Sequence, residues 1–258
     1  MDNDDKPIGT ILTRRDVLKI LGIGSAATLL ASCAPELLEP LTPTSIPSST
    51  PVPQSTATLA AATQSNGAIP ACVVRPEMTE GPYFVDEMLN RVDIRSDPSD
   101  GLMVQGVPFE LAFNVSQVGA NGCTPLAGAQ VDIWHCDAFG VYSDVESATG
   151  KKFLRGYQMT DANGQAKFVT IYPGWYPGRT VHIHFKIRIN DYDFTSQLFF
   201  DDAFTDQVYL QEPYNQRGAR NVRNPNDNIY NNGGSQLLLN VVESAAGYSA
   251  VFDIGIQI

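Results

Sequence analysis

Eight consecutive residues constrain the fold of this chain more than any others. In His182–Ile189, the apolar residues Ile183, Phe185, Ile187 and Ile189 alternate strictly with His182, His184, Lys186 and Arg188. A period of two belongs to a strand, so the four apolar side chains share one face and need a second layer to cover them. The same alternation sets two imidazoles side by side on the opposite face, a geometry suited to gripping one metal ion. Phe109–Val115, Ala129–Cys136, Ala166–Ile171, Thr195–Phe200, Gln236–Val242 and Ala250–Ile256 are similarly rich in β-branched and aromatic residues. Turn signals separate them, among them Asp161-Ala162-Asn163-Gly164, Pro173-Gly174 and Asn232-Gly233-Gly234. Residues 203–212 suit one short helix, and no long amphipathic helix is legible. The expectation is an all-β fold, a single β-sandwich domain of short, mostly antiparallel strands.

Strand signals begin only after residue 70. Residues 1–33 read as an export signal: Arg14-Arg15 precedes an apolar run, Ile20–Leu30, too short to span a bilayer. The paired arginines resemble a twin-arginine signal, and Leu30-Ala31-Ser32-Cys33 resembles a lipoprotein cleavage box with Cys33 as the lipidation site. A plain signal with an unmodified Cys33 is the alternative. Residues 34–69 are rich in Pro, Ser, Thr and Ala and form a tether that cannot bury a core. Residues 70–258 are left as one domain large enough to hold one. The expected location is the bacterial cell envelope, outside a membrane and touching it only through the N-terminal lipid.

The formal charge of −11 falls wholly on the part after residue 33, because residues 1–33 carry four acids (Asp2, Asp4, Asp5, Asp16) and four bases (Lys6, Arg14, Arg15, Lys19). So acidic a surface argues against nucleic acid and anionic lipid as partners. With Cys33 assigned to the anchor, Cys72 and Cys123 each border a loop-like stretch and are the expected disulfide. Cys136, inside an apolar strand, is expected as a buried thiol.

Only three histidines occur, His135, His182 and His184. His135 shares a strand with Val131 and Ile133 and reads as a structural, hydrogen-bonded residue. Just before the His-x-His pair lies Pro173-Gly174-Trp175-Tyr176-Pro177-Gly178-Arg179, a loop that can fold Tyr176 back over the strand. Tyr142 follows Gly140, which lets the chain turn at the end of another strand. Among ten tyrosines, Tyr83, Tyr157 and Tyr172 remain alternatives on these grounds alone.

In order, Gly140-Val141-Tyr142, Thr160-Asp161-Ala162-Asn163-Gly164, Pro173–Pro177, Arg179 and His182-Ile183-His184 resemble the motifs of intradiol ring-cleaving dioxygenases. Thr79-Glu80-Gly81-Pro82-Tyr83-Phe84 resembles that family's pocket-lining N-terminal segment. The resemblance covers residues 72–200. It implies Fe(III) held by Tyr142, Tyr176, His182 and His184, with O2 and a small aromatic diol as substrates and muconate-type diacids as products. Tyr176 is implied as the ligand that leaves and acts as a base, Arg179 as an electrostatic stabiliser and Gln197 as a catalytic glutamine on the following strand, behind the ligands. Thr79, Gly81, Pro82, Tyr83 and Trp175 are implied in substrate binding. Phenolate is a hard donor suited to ferric iron, and only a metal's charge makes tyrosine a ligand near neutral pH.

The chain departs from the family in two respects. Five residues separate Tyr176 from His182, which predicts an open pocket rim, and no helical domain precedes the strands. Two other readings compete: a non-catalytic cell-surface β-sandwich that kept the fold, and a copper or zinc hydrolase. Tyrosine pairs argue against zinc. An oligomer is compatible with the sequence.

Overall fold

The computed structural model describes residues 73–258. The expected leader (1–33), the tether (34–69), Cys33 and Cys72 lie outside the described residues.

Among the described residues nine strands form two sheets, neither closed into a barrel. The first sheet contains β1 (Pro108–Gly119), β2 (Gly122–Pro125), β5 (Gln165–Ile171), β8 (Val242–Ser244) and β9 (Gly247–Ile256). Its order is β2-β1-β9-β8, with β5 also pairing β1. The second runs β4 (Arg155–Met159), β3 (Gln130–Trp134), β6 (His182–Ile189), β7 (Tyr192–Phe199). Pairing is antiparallel except between β1 and β9, which run parallel from Phe109↔Tyr248 to Gln117↔Ile256. The chain between β7 and β8 carries the helices α1 (Asp202–Val208) and α2 (Asn228–Asn231). Asp201 caps α1 by accepting from Phe204 N–H.

Alternation builds the core. Phe109, Leu111, Phe113 and Val115 of β1 turn inward, as do Ile183, Phe185 and Ile187 of β6. Phe185 lies 5.3 Å from Phe113 and 5.6 Å from Phe252, ring centre to ring centre, so this trio ties one sheet to the other. Each such ring contributes roughly 1.5–3 kcal/mol by leaving water. Across β6, Ile183 pairs Leu198, Ile187 pairs Phe194 and Phe185 pairs Ile133, which fixes the register.

The expected strand over Gln236–Val242 is corrected. Gly233 takes a left-handed conformation (φ 117°) and starts a 3₁₀ turn, Gly234–Leu237. Leu237 and Leu239 are buried from irregular backbone, with a single bridge joining Leu238 to Phe199. Cys136 is a free, buried thiol and Cys123 is disulfide-bonded. His135 is buried, its two ring nitrogens 2.8 Å from the Cys136 carbonyl oxygen and 2.7 Å from Thr170 Oγ1. Both nitrogens are therefore used structurally.

Candidate metal centre

The second face of β6 is also covered. His182 and His184 are 2% and 1% exposed, so the half of the alternation that looked polar is buried too. In register, His184 stands between Gln197 of β7 and Trp134 of β3. Trp134 stacks on the His184 ring at 5.0 Å and 11°. The segment 78–86 closes this face from above. Met78 N–H donates to Thr195 O, and Lys186 pairs with Glu80 and lies 4.4 Å above the Phe84 ring. At Gly81 (φ 72°) an added Cβ would lie 3.2 Å from His184 Cε1, so glycine lets the backbone pass over the imidazole.

Two loops supply the tyrosines. The first turns at Asp137, whose Oδ1 accepts from Phe139 and Val141 N–H, and at Gly140 (φ 80°). It delivers Tyr142, which is 4% exposed. The second is Pro173–Gly178; Gly174 N–H donates to Asp137 O at 3.1 Å, locking the loops together. It delivers Tyr176, a half-buried residue packed against Trp134, Cys136 and Tyr142.

The four side chains converge. Tyr176 Oη is 3.1 Å from His182 Nε2, and His182 Nε2 is 3.0 Å from His184 Nε2. The Tyr142 ring lies 5.5 Å from Tyr176 and 6.1 Å from His184. Its hydroxyl is buried and makes no well-formed hydrogen bond, with the Tyr176 phenol its near polar neighbour. His182 Nδ1 donates to Thr180 O at 2.7 Å, which leaves Nε2 as a bare lone pair facing the other donors. Among the other tyrosines, Tyr172 Oη is tied to Thr205 Oγ1 at 2.8 Å in the core, and Tyr157 sits on edge strand β4. Tyr83 stacks on Tyr142 at 4.5 Å.

Electrostatics fit a hard cation at this point. Burial, then the Arg179 charge, brings the His182 pKa down to about 3. Burial and the neighbouring His182 hold His184 well below its ordinary value. Both imidazoles therefore present lone pairs at neutral pH. Burial pushes both phenols up, so without a cation they keep their protons. The bare Nε2 of His182, a second neutral imidazole whose Nε2 lies 3.0 Å away and two phenol oxygens form a donor set that a strongly charged metal would complete. Among the described residues no group of three or more His, Cys, Asp and Glu converges on a point, so this set depends on its tyrosines.

Arg179 is 6% exposed. Its Nε donates to Asp227 Oδ2 at 3.0 Å and its Nη2 to Gln197 Oε1 at 2.7 Å, while Gln197 Nε2 donates to Thr79 O at 2.9 Å. Its charge acts on all four donors. Of the residues expected to line a pocket, Gly81 and Tyr83 lie against the donors, and Thr79 joins through Gln197. Pro82 is exposed, and Trp175 makes its ring contact with Arg217 at 4.3 Å.

Sequence reasoning missed three residues. Arg217 donates to Trp175 O, behind the second tyrosine loop. Arg155, 2% exposed, donates from Nη2 to Ser143 O at 2.6 Å, behind Tyr142. Asp227 anchors Arg179. Only the Leu154-Arg155-Gly156 run, with its large charged residue between apolar neighbours, carried a local signal.

A family model described as dioxygenase matches residues 79–217. A hydroxyquinol 1,2-dioxygenase of Corynebacterium glutamicum is 33% identical over 97 residues, 38% of this chain and 30% of that one. A chlorocatechol 1,2-dioxygenase of Pseudomonas putida is 26% identical over 147 residues, 47% of this chain and 52% of that one. The chain thus spans a third to a half of these relatives. Among solved structures, an intradiol ring-cleavage dioxygenase from Tetranychus urticae superposes with a TM-score of 0.64 at 32% identity, covering 72% of this chain and 95% of that one. The dioxygenase domain of a carbohydrate-binding fusion protein from Streptomyces sp. SirexAA-E superposes at 0.53 with 28% identity, over 72% of this chain and 99% of that one.

Proposed function

We propose that this chain, which belongs to the intradiol ring-cleavage dioxygenase family, is a non-haem Fe(III) dioxygenase that opens catechol-type rings between the two hydroxylated carbons, incorporating both atoms of O2 to give muconate-type diacids. The observation that carries this reading is the placing of Tyr176 Oη at 3.1 Å and His184 Nε2 at 3.0 Å from His182 Nε2, with the buried hydroxyl of Tyr142 in the same cluster. Tyr142, Tyr176, His182 and His184 would hold the ion. The chemistry ferric iron supplies when bound is Lewis-acid activation of a catecholate towards oxygen.

The remaining roles belong to the protein. His182 and His184 are fixed to one strand and do not move. Tyr176 sits on a Pro/Gly loop rather than a strand and is only half-buried, so it is the donor that would yield its place and, as a phenolate, would take a substrate hydroxyl proton at Oη. Arg179 presents fixed positive charge where negative charge gathers on the ring, and Gln197 aims it. Tyr83, stacked beside Tyr142, and the bare backbone at Gly81 shape the ring's slot. Trp134 and the 78–86 segment keep water from His184.

The wider proposal makes residues 70–258 a single sandwich domain, exported and tethered by residues 34–69 from a lipidated Cys33; the sequence alone supports the leader and anchor. A Cys72–Cys123 disulfide is supported by Cys123 being disulfide-bonded and by the place of Val73. Val73 O accepts from Gly255 N–H, and Cys123 Sγ lies 3.7 Å from where a Cβ on Gly255 would stand.

Protein from iron-replete cells tests the reading. The expected result is a coloured protein with one iron per chain, consuming one O2 per catechol and yielding a diacid heavier by the mass of O2. A colourless preparation that takes up no iron would overturn it, as would an iron-loaded protein inert towards a panel of substituted catechols.

A further inference from the structure

The carboxylate of Asp227 lies ten residues beyond the segment matched by the family model, yet it is buried at 2% exposure beside the centre. Its two oxygens accept four N–H groups. Oδ1 takes Ile229 and Tyr230 N–H at 2.8 and 3.0 Å, the start of α2. Oδ2 takes Arg179 Nε at 3.0 Å and Thr180 N–H at 2.8 Å. Capping alone would leave Oδ2 unused, and a four-residue helix does not require a buried charge.

Both bonds on Oδ2 lead to the donors. Arg179 is held between Asp227 and Gln197, so its side chain is gripped from two sides. Thr180, whose N–H Asp227 fixes, gives its carbonyl to His182 Nδ1 at 2.7 Å, the bond that turns His182 Nε2 towards the other donors. Thr180 Oγ1 in turn donates to Asn224 Oδ1 at 2.6 Å, from the same excursion. A buried carboxylate without Arg179 would be strongly disfavoured, and a buried guanidinium without Asp227 equally so.

We infer that Asp227 is a positioning residue of the centre: it holds Arg179 at the substrate and, through Thr180, sets the orientation of His182. The inference rests on the dioxygenase reading for its kinetic consequence but not for the coupling itself. An amide cannot replace this carboxylate. Asparagine has one acceptor oxygen, so either α2 or the Arg179–Thr180 pair would face an NH2 group.

The test is a cycle of Asp227→Asn and Arg179→Ala, read in the metal-free and iron-loaded proteins. With iron bound at the wild-type ratio, Asp227→Asn is expected to lower kcat by about 10- to 100-fold, the range for supports of metal ligands. KM should change far less, and the visible band should shift as His182 reorients. Asp227→Glu, which keeps the charge, should recover most of the rate. In the Arg179→Ala background, Asp227→Asn should lower kcat by clearly less than in the wild type, because the Arg179 route is already lost, while the shift of the visible band persists through Thr180 and His182. In the metal-free protein, Asp227→Asn should lower Tm markedly in the wild type and by much less in Arg179→Ala, where the ion pair is already gone and only the backbone N–H bonds to the carboxylate remain to be disturbed. Equal kcat losses in both backgrounds, or an Asp227→Glu variant as slow as Asp227→Asn, would overturn the inference. Additive Tm shifts would do so even if the wild type turned over no catechol, an outcome that would separately defeat the dioxygenase reading.

Discussion

Replacing Gly140 by alanine tests how the two tyrosine loops are held. Gly140 has φ 80°, and a Cβ there would overlap the Trp175 carbonyl oxygen and come within 2.9 Å of Arg217 Nη1. Two costs follow. An L-residue in the left-handed region loses about 1–2 kcal/mol. Forcing an extra carbon against packed backbone adds about 1–3 kcal/mol. Gly150 supplies the control, since it has φ 86° and nothing within 4 Å of the added Cβ. Gly150→Ala carries the first cost alone, and the change in unfolded-chain entropy cancels between the two variants. The difference is thus about 1–3 kcal/mol, or a Tm about 2–12 °C lower for Gly140→Ala in a domain of this size. The displacement also parts Tyr142 from Tyr176, so iron per chain should fall in Gly140→Ala and hold in Gly150→Ala. Calorimetry of the metal-free proteins and iron analysis of the loaded ones make the measurement. Two variants that unfold together and keep equal iron would refute the argument that this contact sets the loops.

Tyr142→Phe deletes a buried hydroxyl that makes no well-formed hydrogen bond, whose burial costs about 1–3 kcal/mol. The metal-free variant should be as stable as wild type or more so, while the loaded protein loses iron; clear destabilisation without metal would contradict this. His184→Ala should abolish iron binding, whereas Tyr176→Phe should change the visible band and slow turnover more than it releases iron. Iron retained at one per chain in His184→Ala would show the ligand assignment to be wrong. Burial lowers the His135 pKa to about 4, so between that value and about 6.5 the unfolded chain binds the extra proton. Stability of the metal-free protein is therefore full above about pH 6.5 and falls as pH drops towards 4, by up to about 3 kcal/mol from this residue. Urea titrations across that range should show the loss, with a shallower slope in His135→Gln; a flat profile in the wild type would refute it.

Much of the architecture was legible because alternation is local. β6 runs from His182 to Ile189, the span its pattern predicted, and β5 and β7 lie close to their expected segments. β4 was missed because Arg155-Gly156 carries no strand signal, although Gly156 admits the neighbouring chain where a Cβ would crowd Ile94. Leu237-Leu238-Leu239 was misread because an apolar run is compatible with any buried backbone, and the left-handed Gly233 decided against a strand. At the centre, Tyr142, Tyr176, His182 and His184 could be nominated from ordered motifs. Their supports could not. Arg179 and Asp227 are 48 residues apart and meet through an excursion with no periodicity of its own. An Asp in a run of Asn and Pro reads as an ordinary turn residue until the tertiary fold sets an arginine against it.

β6 has no spare side. From His182 to Phe185 every residue is buried, imidazoles outward and hydrocarbon inward, and Ile187 continues the inward row. A soluble sheet usually keeps one face on which substitutions pass unnoticed. Here such freedom is missing where it would normally be greatest. A larger group at Ile183 has to be answered across the ladder at Leu198, or the strand shifts and carries two ring nitrogens with it. Interior packing and metal geometry are thus read out by the same few ångströms of backbone. Variants in this stretch should fail in correlated fashion, losing iron and thermal resistance together rather than one at a time.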